Sequence, residues 1–314
     1  MQTWKLSIKP ANEKGYNPFD FCRRKNLLGI GWSGAYIEKT ATNLVDAKKL
    51  VIAEFKIWPY QIKYLIEDMN EGDHVWIHQD GQYYLCKAKK NIIFCKDIDK
   101  DFLKYDLGHA RESFWVNIPE EFISGTVQRG VIAQRLIQRI WLTEEEVVYH
   151  ENLFNKLSIN PDWKPKIDNT ALSKLIQNIS LNALFSLMSP DDVEDLVAAF
   201  LQDNGWILIK STCFRSKPTF EFLMVNKKSE IAYIQVKSGK NPDPLSPEVY
   251  RQYIKDYSHI FLFSTNNNPY PGIKPDRITT IQKDDIINWA IKNLWALSFS
   301  LKIRLWIFLN KNNG

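Results

Sequence analysis

The sequence predicts two domains of mixed class: an α/β C-terminal domain, with a mixed central sheet flanked by helices, behind an α+β N-terminal domain. Three observations predict this. From Ser189 onward, strand-like and helix-like stretches alternate as an α/β sheet requires. Before residue 145 a first strand, two helical stretches and a turn-linked hairpin follow one another, which is an α+β order. Between the two, Asn160-Pro161-Asp162-Trp163-Lys164-Pro165-Lys166 breaks regular structure, and 314 residues at 45% hydrophobic composition suffice for two cores. The expected division is 1–145, a helical linker over 146–188, and 189–314.

Lys and Arg number 41 against 36 Asp and Glu, a net charge of +5, which permits a polyanionic partner without requiring one. Cys22, Cys86, Cys95 and Cys213 show no CxxC spacing, so neither a zinc knuckle nor a disulfide framework is indicated and a reducing cytoplasm is expected. The start, Met1-Gln2-Thr3-Trp4-Lys5-Leu6, lacks the basic-then-apolar order of a signal peptide, and Lys302 and Arg304 interrupt the apolar C-terminal run. Neither secretion nor a membrane span is expected. No internal repeat is visible.

Thr3–Ile8 alternates like a strand, and Asn12–Phe21 reads as a loop carrying Gly15 and Pro18. In Leu27-Leu28-Gly29-Ile30-Gly31-Trp32-Ser33-Gly34, three glycines around one indole suit either a tight turn into the core or a pocket for a planar ligand. Helices are predicted over Asn43–Phe55 and Tyr60–Met69. Glu71–His78, the Asp80-Gly81 turn and Gln82–Ala88 then form a hairpin. This order of strand, Gly-Ile-Gly-Trp, helices and Gly-Asp-His-Val-Trp-Ile-His hairpin resembles the PUA-like barrels of the EVE and YTH kind. The resemblance implies a reader that holds a flipped or modified base in an aromatic pocket, with Trp32 and Ser33 in the pocket region and Trp76 and His78 beside it. Trp58 and Trp115 are equally available as further walls. On the residues alone, tryptophans that simply fill a small barrel read as well.

Thr126–Trp141 places Val131, Ile132, Leu136, Ile137 and Ile140 at helical spacing and is expected to be one amphipathic helix. Arg129, Arg135 and Arg139 on its other faces would either grip phosphates or solvate a domain-closing helix. Glu144–Glu151 is acidic, and Ala171–Met188 is expected as a single helix.

Ser189 suits an N-cap, Pro190 the first helical position, and Asp191 and Asp192 the positive end of the helix dipole. Val193, Leu196, Val197, Phe200 and Leu201 share one face, Asn204-Gly205 ends the run, and Glu194 stands at the stripe's edge, either exposed at its margin or held by a partner. Trp206–Ile209, Phe220–Val225 and Ile231–Val236 have strand composition, the last two joined by the turn Asn226–Ser229. Alternation puts Gln235 and Lys237 on one face, with Glu221 in reach on the neighbouring strand. The Glu221 carboxylate, the Gln235 amide oxygen and the Val236 carbonyl are hard oxygen ligands of the kind Mg²⁺ accepts, with water in the remaining positions, and Mn²⁺ is an acceptable substitute. Lys237 would then face the attacking water and stabilise phosphate charge. A hairpin in which Glu221 and Lys237 merely pair fits the same residues.

Glu194, Glu221 and Gln235-Val236-Lys237 resemble the helix-Glu, Asp/Glu and (D/E/Q)xK signature of PD-(D/E)xK nucleases, specifically the Mrr-like restriction endonucleases with Gln in the third place. The resemblance spans 189–314 and departs from the pattern at Thr219-Phe220-Glu221, where Asp is usual. It implies a restriction-endonuclease-like fold with catalytic Glu194, Glu221, Gln235 and Lys237. Beyond the motif, Ser246-Pro247-Glu248 opens a helix with Tyr250, Tyr253 and Tyr257 on one side, Ile260–Thr265 and Arg277–Ile281 are strands, and Asp284–Asn293 is a helix. Residues 294–309 read as helix and strand in either order.

The combined expectation is a cytoplasmic, modification-dependent DNA endonuclease that acts against foreign DNA, uses Mg²⁺, binds double-stranded base-modified DNA and is expected as a homodimer; since one such site cuts one strand, a double-strand break implies pairing of two chains or two successive nicks. Two other classes stay open on the residues: an RNA-directed nuclease, and a catalytically weak nucleic-acid-binding protein with Glu221 and Gln235 as a degraded metal pair.

Overall fold

A computed structural model describes residues 1–8, 15–37, 41–93, 100–132, 135–213, 219–239 and 242–310, leaving aside the side chains of residues 100, 101, 129 and 132. Cys95 and Lys240 lie outside the described residues, as do parts of the stretches 12–21 and 209–218. The chain forms two compact units, one of Met1–Leu142 with His150–Trp163, the other of Thr143–Tyr149 with Lys164–Gly314.

The first unit's strands are β1 (Thr3–Leu6), β2 (Leu27–Ile30), β3 (His74–Gln79), β4 (Gln82–Ile93), β5 (His109–Ile118) and β6 (Ile137–Ile140). They form one mixed sheet, ordered β2-β5-β4-β3-β1-β6 and curled into a half-barrel. Among the described residues only β1 and β3 run parallel in this sheet. The β3–β4 hairpin closes through Asp80 and Gly81, at φ of +51° and +74°, values that a two-residue turn needs and that Asp and Gly tolerate. Its helices are α1 (Pro18–Lys25), α2 (Leu44–Phe55), α3 (Tyr60–Lys63, continuing as a π turn over Tyr64–Asp68), α4 (Lys100–Lys104) and α5 (Gly125–Ile132). Asn17 and Asn43 cap α1 and α2, each side chain accepting from two backbone N–H groups. Leu6, Leu28, Val75, Ile77 and Leu65 are among the residues that fill the core.

Helix α6 (Glu144–Ile159) contributes to both units. The second unit continues with α7 (Asn169–Gln177), α8 (Leu181–Ser186), α9 (Pro190–Asp203), β7 (Trp206–Leu208), β8 (Phe222–Asn226), β9 (Ile231–Lys237), α10 (Pro247–Tyr250), β10 (Ser258–Ser264), β11 (Ile278–Ile281), α11 (Lys283–Lys292) and α12 (Phe299–Leu309). Its sheet is ordered β11-β10-β9-β8-β7, antiparallel from β7 to β9 and parallel from β9 to β11. Both units are therefore mixed α/β, as the sequence predicts at that level. Ser189 and Asp192 form a reciprocal capping box on α9, and Arg304 of α12 closes on Asp192 at 2.6 Å, both side chains being largely buried. Among the described residues no helix is long and apolar enough to cross a membrane.

Several local expectations are corrected. Thr126–Trp141 is not one helix: α5 ends at Ile132, and Ile137–Ile140 pairs antiparallel with β1, because a sheet edge offers these backbone groups partners that a solvent-facing helix cannot improve upon. Ala171–Met188 is two helices, since Asn178 ends α7 and the Ser180 side chain caps α8. The predicted loop over 12–21 contains the start of α1, whose Asn17 cap and Pro18 at the first position are a regular helix opening. Helix α10 stops at Tyr250 and continues only as a 3₁₀ turn over Arg251–Tyr253, so Tyr257 lies outside it, exposed. Residues 294–309 are a 3₁₀ turn and α12, with no strand.

Candidate functional site

In the second unit the β8–β9 hairpin assembles the predicted group. Glu221 lies one residue before β8, but its N–H still donates to the Ile234 carbonyl at 2.9 Å, so the ladder carries it beside Gln235. The Gln235 side chain is buried, and its Nε2 donates to Glu221 Oε1 at 3.2 Å and to the Val236 carbonyl at 3.3 Å. Two oxygens thus converge on one point. Gln235 Oε1, equally buried, has no hydrogen-bond partner among the described residues. Turning the amide about its Cγ–Cδ bond exchanges the two atoms and presents this oxygen to the same point.

That arrangement fits a hard cation on chemistry. A carboxylate oxygen, a carbonyl and an amide oxygen can meet there, and a buried acceptor lacking a donor is left unsatisfied until something electropositive reaches it. Among the described residues there is no cluster of three or more His, Cys, Asp or Glu, so a cation here would rest on this small set and on water. Lys237, half-buried, ends β9 on the face of Gln235 by alternation, and its carbonyl accepts from Thr265 N–H at 2.9 Å. Glu194 is half-buried on α9, the helix that packs against β9. Tyr250, which the sequence groups with Tyr253 and Tyr257 on one side of a helix, stands near this group. Burial, then the adjoining Tyr253 and the Glu221 charge, push its phenol up, and Phe220 packs against both rings.

In the first unit a cavity of about 500 Å³ opens beside β2, with Trp32, Gly29, Gly31, Phe55 and Asp106 in its lining. Trp32 sits at φ +67°, a left-handed conformation uncommon outside glycine and, at bulky residues, a mark of strain held by its surroundings. Two contacts hold it. A Cβ on Gly108 would stand 2.7 Å from the Trp32 carbonyl carbon, so the chains approach as only glycine allows. Ser33 donates to Asp106 Oδ1 from both its N–H at 3.0 Å and its hydroxyl at 2.7 Å. Ser33 is therefore buried support behind the cavity. Its other predicted companions are elsewhere: Trp76 is fully buried with its ring edge-on to His150, and His78 stacks on Tyr83 at 4.4 Å. Phe55 and Asp106 take the places expected of them. Trp58 donates to Glu67 at 2.7 Å, and Trp115 to Ser113 at 2.9 Å.

The three arginines do not form a row. Arg135 is exposed in the loop before β6, Arg139 projects from β6, and the Arg129 side chain lies outside the described residues. No protein-family model, no curated protein and no solved structure matches the chain.

Proposed function

We propose that the chain is a Mg²⁺-dependent endonuclease directed by base modification, whose second unit hydrolyses DNA phosphodiesters and whose first unit holds a modified base. The support for hydrolysis is one observation: Glu221 Oε1 and the Val236 carbonyl converge on a buried glutamine whose own oxygen has no partner among the described residues, with Lys237 two residues along the same face. Glu221, Gln235 and Val236 would hold the ion, which when bound supplies Lewis-acid activation of phosphate and water. The Lys237 ammonium orients the attacking water and offsets charge on the phosphate oxygens as the phosphorus–oxygen ester bond breaks. Defence against foreign DNA and pairing of two chains for a double-strand break belong to this reading. The support for base recognition is the cavity flanked by Trp32, whose indole offers a stacking surface, and by the Asp106 carboxylate, which offers an acceptor.

The test uses the purified chain on phage and plasmid DNA carrying different modified bases, with Mg²⁺ or chelator, beside Lys237→Ala and Glu221→Ala. Cleavage should require modification and Mg²⁺ and vanish in both variants while duplex binding and folding persist. Undiminished cleavage by both variants would place the chemistry elsewhere. Parallel RNA substrates decide the nucleic acid.

A further inference from the structure

A second aromatic groove, separate from the cavity beside β2, runs along the β1–β6 pair. Trp4 and Arg139 are register partners across these antiparallel strands, so their side chains stand side by side on one face. Trp141, two residues beyond Arg139, continues that face by alternation. The Arg139 guanidinium consequently lies over both indoles, 5.1 Å from each ring centroid. Trp4 is buried and anchored, its Nε1 donating to Asp73 Oδ2 at 3.0 Å. Trp141 is 70% exposed. Tyr60 and Tyr64, edge to face at 5.5 Å, also line the groove, Tyr64 meeting the Trp4 ring, and Arg135 is an exposed member of the lining.

We propose that this groove binds an unpaired nucleotide of a nucleic-acid strand, its base stacking on Trp141 and its phosphate meeting Arg135. Three features select this ligand. A tryptophan so exposed, yet held against a guanidinium, is an oriented planar surface of the kind on which any base can stack. The lining contains two arginines and no carboxylate, which suits a polyanion. Neighbouring acids are already engaged: Asp73 accepts from Trp4, Gln2 and Asn70, and Asp68 lies 3.7 Å from Lys63 Nζ. The space, about 640 Å³, lies within the ~300–1,000 Å³ of sites that enclose small ligands. The groove shares no lining residue with the cavity beside β2.

The experiment titrates labelled oligo(dT), oligo(U) and a duplex of equal length with the full chain, reading fluorescence anisotropy, and repeats it with Trp141→Ala and Trp141→Phe. The parent should bind a single strand, and the stronger of the two homopolymers names its source as DNA or RNA. Trp141→Ala should weaken that binding by about 5- to 150-fold and leave duplex affinity and melting temperature unchanged. Trp141→Phe should recover part of the loss. The proposal fails if the parent ignores both homopolymers, if Trp141→Ala binds them undiminished, or if it loses duplex and single strand equally.

Discussion

Acidification from about pH 7 to about pH 4.5 should destabilise the first unit through one imidazole, His109. This ring is fully buried on β5, with Nε2 2.7 Å from the Tyr36 hydroxyl and Nδ1 3.3 Å from the Gly31 carbonyl. The neutral ring satisfies both partners when Nδ1–H donates to Gly31 and Nε2 accepts from Tyr36. A protonated ring would need a second acceptor and would carry an unsolvated charge. Burial therefore pulls its pKa from 6.5 to about 4, against the opposing pull of the Gly31 carbonyl and the Asp106 charge. Between these values the unfolded chain takes up a proton that the folded chain refuses, so stability is full above 6.5 and is lost as pH falls toward 4. At 1.36 kcal/mol per pKa unit the loss reaches about 2.5 kcal/mol at pH 4.5 and about 3.4 kcal/mol well below 4. Urea unfolding of the parent and of His109→Gln across this range isolates the term, because other titrating groups are common to both. Glu151 acts in a lower window in any case: the His74 ring and the Lys87 ammonium hold its carboxyl down at about 2. Nuclear magnetic resonance of the histidine ring protons reads the same pKa directly. A His109 resonance that titrates near 6.5, or a parent–variant difference that stays flat with pH, would refute the reasoning.

Other substitutions test other parts of the structure. Arg304→Leu leaves the buried Asp192 carboxylate without its 2.6 Å partner and should destabilise the second unit by about 3–5 kcal/mol, visible as a lower melting temperature. Gly108→Ala forces a methyl against the Trp32 backbone and should lower stability by about 1–3 kcal/mol and weaken modified-duplex binding with it; an unchanged melt would mean that the approach is loose. Trp32→Ala should reduce binding to modified duplex by about 5- to 150-fold with little change for unmodified duplex. Because Trp32 is only half-buried, its stability loss should fall below the about 3–5 kcal/mol of a core tryptophan; a full loss with equal fall in both affinities would make it core.

What the sequence made legible is what depends on near neighbours. The capping box of α9 lies within four residues, and the β8–β9 hairpin turns within Asn226–Ser229, so period-two alternation alone predicts that Glu221 meets Gln235. Asn17-Pro18 was equally legible as a cap and was hidden by the glycine and proline around it, which read as loop. The break at Ser180 had its own cap residue too, but the apolar residues on either side kept a common helical phase.

The stretch 126–141 failed for a different reason, and that reason governs the sites. Apolar residues at 131, 132, 136, 137 and 140 satisfy a helix and also satisfy a helix followed by a short strand with buried ends, as β6 has at Ile137 and Ile140. Only β1, at the far end of the unit's sequence, decides between them by offering Ser7 N–H to the Leu136 carbonyl at 2.7 Å and a full ladder beyond it. The same distant pairing changes what the arginines can do. On a helix Arg135 and Arg139 would share a face one turn apart and point at phosphates together. On β6, Arg139 is instead laid against Trp4 and Trp141, where its guanidinium orients the two indoles. The hairpin site could be read from fourteen residues of local register, whereas the groove exists only once two strands from opposite ends of the unit have been paired. A charge pattern therefore carries chemical meaning only after its strand has a neighbour.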